Sequence, residues 1–161
     1  MHPTRIDLPQ ATREKIVALL NQNLVDSIDL ALQAKQAHWN VKGVNFIALH
    51  ELFDKVHEVA EEAMDELAER VTALGGTAEG TVQVVSKRTR VAPYPTDIFH
   101  WRDHVARLAD AVAAVGKSVR AAIDESDKLG DKDTADLFTE ISRELDKHLW
   151  FIEAHLQTEE K

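Results

Sequence analysis

Between residues 51 and 69 the chain carries eight carboxylates: Glu51, Asp54, Glu58, Glu61, Glu62, Asp65, Glu66 and Glu69. A solvated helix face would account for an ordinary acidic run, but the spacing here is more specific. His50 and Asp54 are four residues apart, as are Asp65 and Glu69, so each pair shares one face of a helix. Imidazole with carboxylate is a ligand set for divalent metals. Asp54 and Asp65 are eleven residues apart, about three turns, so the two pairs share nearly one azimuth. They nevertheless stand ~16 Å apart along the axis. Metal–oxygen bonds are only about 2 Å long, so one chain cannot close one site with both pairs.

Two copies of the segment could close it. If they pack antiparallel about a two-fold axis, the commonest symmetry of homo-oligomers, position i faces position c minus i. The numbers 54 and 65, and likewise 50 and 69, add to the same total, 119. Asp54 then faces Asp65 of the partner while His50 faces Glu69. His38, near the end of the preceding segment, extends the apolar stripe of Leu24, Ile28 and Ala31. A satisfied core histidine is one reading of it. A short antiparallel turn that carries it to His50 is the other. Such nitrogen and oxygen ligands suit ferrous iron, manganese or zinc better than copper(I), which prefers sulfur.

The elements that must position these residues are helices. Six glycines and four prolines interrupt the chain in only a few places and leave four long segments of helical periodicity. Residues 12–40 carry Ile16, Leu20, Leu24, Ile28 and Ala31 on one stripe, up to Gly43. Residues 45–74 follow, with Leu49, Leu52, Val56, Ala60, Ala63, Leu67, Val71 and Leu74, closed by Gly75 and Gly76. The third segment, 96–124, opens after Pro95 with Thr96 or Asp97 as cap, and carries Ile98, Trp101, Val105, Leu108, Val112, Val115 and Val119. The fourth begins near Asp133 or Thr134 and carries Leu137, Ile141, Leu145, Leu149, Ile152 and Leu156. The first and third connections are short, so those helix pairs are antiparallel neighbours. The middle connection, 75–95, is long enough to cross the bundle and to contain a short helix, which sets the second and third long helices parallel. The expected fold is all-α, a ferritin-like four-helix bundle in one domain over residues 1–161. Residues 1–10 form a short N-terminal extension and 158–161 a polar C-terminal tail.

At the candidate ligands the chain resembles the Dps (DNA-protection-during-starvation) family of ferritin-like proteins. The stretch Lys35-Gln36-Ala37-His38-Trp39-Asn40-Val41-Lys42-Gly43 carries the likeness, followed by Asn45-Phe46, Leu49-His50-Glu51, Asp54 and Asp65-Glu66-Leu67-Ala68-Glu69-Arg70. Leu74-Gly75-Gly76, Tyr94-Pro95, residues 131–136 and Leu145-Asp146-Lys147-His148-Leu149-Trp150-Phe151 extend it over nearly the whole chain. The resemblance implies a hollow dodecamer with ferroxidase sites at its two-fold interfaces. His38, His50 and Asp54 would come from one subunit, Asp65 and Glu69 from its mate. Ferrous iron would be oxidised there by hydrogen peroxide or oxygen and stored inside as ferric mineral, which protects DNA and the cell from oxidative damage. Trp39 would take up stray oxidising equivalents, unless it is an ordinary packed aromatic. Glu58, Glu61 and Glu62 are candidates for mineral nucleation or for solvated carboxylates. Asp133 and Asp136 are assigned to an iron-entry pore, although capping by Asp131, Asp133 and Asp136 would also explain acids at a helix start.

Departures from family patterns narrow the reading. The ordinary ferritin signature needs Glu-x-x-His pairs, and none occurs in this sequence. Residues 1–10 balance one Arg with one Asp, so the lysine-rich tail by which many Dps proteins hold DNA is missing. Lys87, Arg88 and Arg90 are the one local basic cluster. The formal charge is −9, from 28 acids against 19 bases, which disfavours a globally basic nucleic-acid binder. Without cysteine, disulfides, thiolate metal sites and Cys nucleophiles are excluded, and a reducing cytoplasm suits the chain. Nucleoid association would follow only if DNA is bound. Residues 1–10 carry Pro3 and Pro9 and no apolar run, so they read as neither a secretory signal nor a membrane anchor. Three rivals remain: a DNA-compacting shell with little ferroxidase activity, a plain helical interaction module, and a zinc site built on His100, Asp103 and His104.

Overall fold

In the computed structural model, which describes residues 1–157, five helices follow one another: α1 (Gln10–Asn40), α2 (Phe46–Ala73), α3 (Val82–Arg88), α4 (Trp101–Lys128) and α5 (Lys132–Glu153). The expected polar tail, 158–161, lies outside the described residues. Four long helices form the bundle, and α3 is the short helix of the crossover. Among the described residues there is no strand, and no helix is long and apolar enough to cross a membrane.

The apolar periodicity sets the packing. On α2, Leu49, Phe53, Val56, Ala60, Ala63, Leu67 and Val71 recur at steps of three and four and are all buried. They meet Ile16, Leu20, Leu24, Leu30 and Ala34 of α1, Val105, Leu108, Val112, Val115 and Val119 of α4, and Phe138, Ile141, Leu145 and Ile152 of α5 in one core. Leu137 and Leu149 only flank that core, and Leu156 is exposed.

Backbone contacts at the two ends fix the helix directions. At one end, Lys42, just past α1, donates to the Phe99 carbonyl at 3.0 Å and accepts from the Trp101 amide at 3.1 Å, so α1 finishes where α4 begins. At the other, Arg70 of α2 reaches Asp131, which caps α5. Thus α2 and α4 run parallel, as a single long crossover requires. The crossover lies along α1: Asn21 donates to the Thr77 carbonyl and accepts from the Glu79 amide, while Gln22 and Gln33 donate to the carbonyls of Arg88 and Ala92.

The third long helix starts five residues later than the sequence suggested. Residues 96–100 stay outside the helix, where the backbone on either side of His100 pairs with Lys42, and the cap is His100, whose Nδ1 accepts from the Arg102 amide at 3.3 Å, not Thr96 or Asp97. The helix also ends at Lys128 rather than near 124.

Candidate metal centre

The turn between α1 and α2 is tight because Gly43 adopts φ +129°, and a Cβ there would meet Trp101 Cδ1 at 2.8 Å. It folds the end of α1 back on the start of α2 and brings His38 against His50. Their rings stack with centroids 3.6 Å apart. Each is held by the other's backbone: His38 Nδ1 lies 2.7 Å from the His50 carbonyl, and His50 Nδ1 lies 2.9 Å from the His38 carbonyl. A carbonyl can only accept, so both Nδ1 atoms carry hydrogen, which makes Nε2 the atom through which either ring, when neutral, would bind a metal. This is the orienting contact that metal-binding histidines ordinarily use.

Asp54 stands one turn beyond His50. Its carboxylate is 3.9 Å from His38 Nδ1 and is paired with the Lys35 ammonium. The hydrogen bond from Lys35 holds the Asp54 carboxyl below its usual range, against a smaller opposing effect of burial. Sequence reasoning had assigned Lys35 no role. It lies three residues before His38, one turn away on α1, and that spacing was the available signal.

Asp65 and Glu69 are exposed on α2, some three turns further along. Within one chain they do not approach the histidines, and among the described residues no three His, Asp or Glu side chains converge closely enough to hold a metal ion. The structure thus brings His38 onto His50 with Asp54 nearby, and leaves Asp65 and Glu69 apart from them.

The remaining candidates separate by environment. Trp39 is 67% exposed, so within the chain it is no packed core aromatic. Glu58 is tied to Lys55 at 2.7 Å and Glu61 lies 3.9 Å from His57. Glu62 instead shares a concavity of about 240 Å³ with Glu66, Glu140 and Glu144. Burial, followed by the charges of Glu140, Glu62, Asp65 and Glu69, pushes the Glu66 carboxyl up. Asp133 and Asp136 are exposed in the first turns of α5. Asp131 does the capping: it accepts from the Thr134 amide at 3.1 Å and receives Arg70 at 2.7 Å.

Two alternatives from the sequence lose ground. His100 is exposed as a helix cap while His104 is buried beside Tyr94, so they form no common site with Asp103. Of the basic cluster, Arg90 binds the buried Asp26 through Nε at 2.9 Å and Nη2 at 2.5 Å, and Arg88 pairs with Glu79.

Fold and site together define a helical bundle of the ferritin-like class, and residues 17–161 match the family described as "Ferritin-like domain". A "DNA protection during starvation protein" of Agrobacterium fabrum is 49% identical over 156 residues, covering 97% of this chain and 96% of the relative. A Mycobacterium smegmatis Dps structure superposes with a TM-score of 0.93 at 31% identity, covering 99% of this chain and 96% of the other. A Vibrio cholerae Dps structure, described as a member of a broad superfamily of ferritin-like diiron-carboxylate proteins, gives 0.90 at 25% identity, with 98% of each chain covered. The chain belongs to the Dps family of ferritin-like proteins.

Proposed function

We propose that this protein is a ferroxidase and iron store, a mini-ferritin whose substrate, ferrous iron, is oxidised at sites completed by two subunits. The observation that carries this reading is the half-site His38, His50 and Asp54, held at one end of α2 while Asp65 and Glu69 wait about three turns away on the same helix. A two-fold antiparallel pairing of α2 would bring the acids of one subunit to the imidazoles of the other. The relative described as a diiron-carboxylate protein supports iron as the substrate, and zinc or manganese would occupy the same nitrogen and oxygen donors.

His38 and His50 offer oriented lone pairs, and Asp54 offers charge once Lys35 is displaced. Two ferrous ions together supply the two electrons that take one hydrogen peroxide to the level of water. With water the products are ferric oxyhydroxide and protons. Supplying both electrons at one place avoids the one-electron step that releases hydroxyl radical. Twelve subunits would enclose the store, with Asp133 and Asp136 at its iron entrance and Glu62, better placed than Glu58 or Glu61, nucleating mineral. Protection of DNA would then be chemical, in the cytoplasm, by removal of iron and peroxide. Direct binding has weak support, since Arg88 and Arg90 are engaged in ion pairs.

The test adds ferrous iron anaerobically to the assembled protein, injects peroxide and follows oxidation beside the Asp65→Ala/Glu69→Ala variant. Fast oxidation that disappears in the variant supports the shared site. Equal, buffer-like rates in both would leave a structural or DNA-binding shell.

A further inference from the structure

Tyr94 is the only tyrosine in the chain, and its hydroxyl lies 2.8 Å from Nδ1 of His104. The two rings are nearly parallel, 20° apart in plane. Burial pushes the phenol's pKa up, with Arg107 opposing more weakly, and burial likewise lowers that of the imidazole, so both groups are neutral and the phenol donates to Nδ1. His104 is only 1% exposed. Its Nε2 makes no hydrogen bond of ordinary geometry, yet the carbonyls of Ile98 and Asn40 stand close enough to favour a proton on the ring, and Asp103 adds charge of the same effect.

Burial opposes a charge on His104, and the two carbonyls with Asp103 offset part of that cost. Oxidising a phenol by one electron is easy only if its proton can leave at the same moment, and here a base waits within proton-transfer distance. The pair also adjoins the candidate metal centre. Asn40 ends the helix that carries His38 and Trp39, and His104 lies one turn after His100, whose backbone pairs with Lys42.

We propose that Tyr94 and His104 form a redox site that captures strong one-electron oxidants, of which hydroxyl radical from stray iron and peroxide is the expected natural one. The phenol gives one electron to the radical and its proton to His104 Nδ1. The radical becomes hydroxide and takes a proton from solvent to give water. Ferrous iron then returns an electron to the tyrosyl radical, becoming ferric, as the proton moves back from Nδ1 to the phenol oxygen. A mere tether between the crossover and α4 would need none of this chemistry.

Pulse radiolysis with azide radical as oxidant tests the proposal on the assembled, iron-free protein, so the outcome is independent of ferroxidase activity. The wild type should convert indolyl radicals into a tyrosyl radical at Tyr94, more slowly in deuterated water. Tyr94→Phe should leave the indolyl radicals unconverted. His104→Gln, which keeps a hydrogen-bond acceptor but loses the base, should slow the conversion about a hundredfold. A wild type that yields no tyrosyl radical, or a conversion indifferent to deuteration and to His104→Gln, would overturn the proposal.

Discussion

At the proposed site, Lys35 and a ferrous ion would compete for the same carboxylate. Replacing Lys35 by Met removes the ammonium on Asp54 and should tighten ferrous binding at neutral pH, read by anaerobic titration. It should also let the Asp54 carboxyl return toward 3.8, its ordinary value, so that binding begins to fail at a higher pH on the acid side. The linkage has a definite sign. The Asp54 carboxyl is lowered in the folded chain, so its stabilisation is complete above 3.8 and is lost as pH falls through the lowered value. Glu66 behaves oppositely. Its pKa is raised from 4.5, so the native state loses stability as pH climbs from 4.5 through the raised value. Glu66→Gln should therefore melt higher than the parent at neutral pH in metal-free buffer, with the gap closing in acid. His50, Asp54, Asp65 and Glu69 were legible as candidates because ligand types recur at helical spacing, and His38 through the short turn and the family resemblance. For Lys35 the sequence offered only its spacing from His38, because its partner lies 19 residues away on another helix and the contact exists only once α1 and α2 pack.

Element ends are where this fold can be tested most directly. Asp131 is 2% exposed, caps α5 and holds Arg70, so Asp131→Ala removes a cap and strands a partly buried guanidinium. A loss of about 3 kcal/mol is expected by urea unfolding, and a smaller one for Asp131→Asn, which keeps the cap. Gly43→Ala forces a side chain into a positive φ and against Trp101, at about 2 kcal/mol. That change should also loosen the stack of His38 on His50, whereas Asp131→Ala should not. The four long helices were legible from apolar periodicity, and the long middle connection from its length. The start of α4 was not: the Phe99 carbonyl and the Trp101 amide find partners across the bundle at Lys42, and local sequence carries no mark of that. Buried Asp26, Asn21 and Asn23 of α1 were equally hidden, since Arg90, Thr77 and Ser118 satisfy them from elsewhere in the chain.

For the whole molecule, the proposed sharing of sites makes a demand that no single-chain site would meet. Subunits carrying His50→Ala/Asp54→Ala lack one half-site, and those carrying Asp65→Ala/Glu69→Ala lack the other. Each alone should be inactive. Dissociated, mixed equally and reassembled, half of the pairs should be mixed and one of the two sites in each mixed pair intact, so about a quarter of wild-type activity returns. No recovery in a properly reassembled mixture would rule out the sharing. A partner seated over the half-site would also cover Val44 and Ile47, 92% and 61% exposed in the single chain, and Trp39 beside them.

The reciprocal grip of His38 and His50 has another use. Nδ1 of each ring donates to the backbone of the opposite helix, so the state of both rings depends on the register of α1 against α2. A slip of one residue would break both bonds together and free the tautomers to exchange. The two imidazoles thus act as a built-in vernier, and their nitrogen resonances would tell whether a distant substitution has moved one helix along the other, before any loss of stability or activity is noticed.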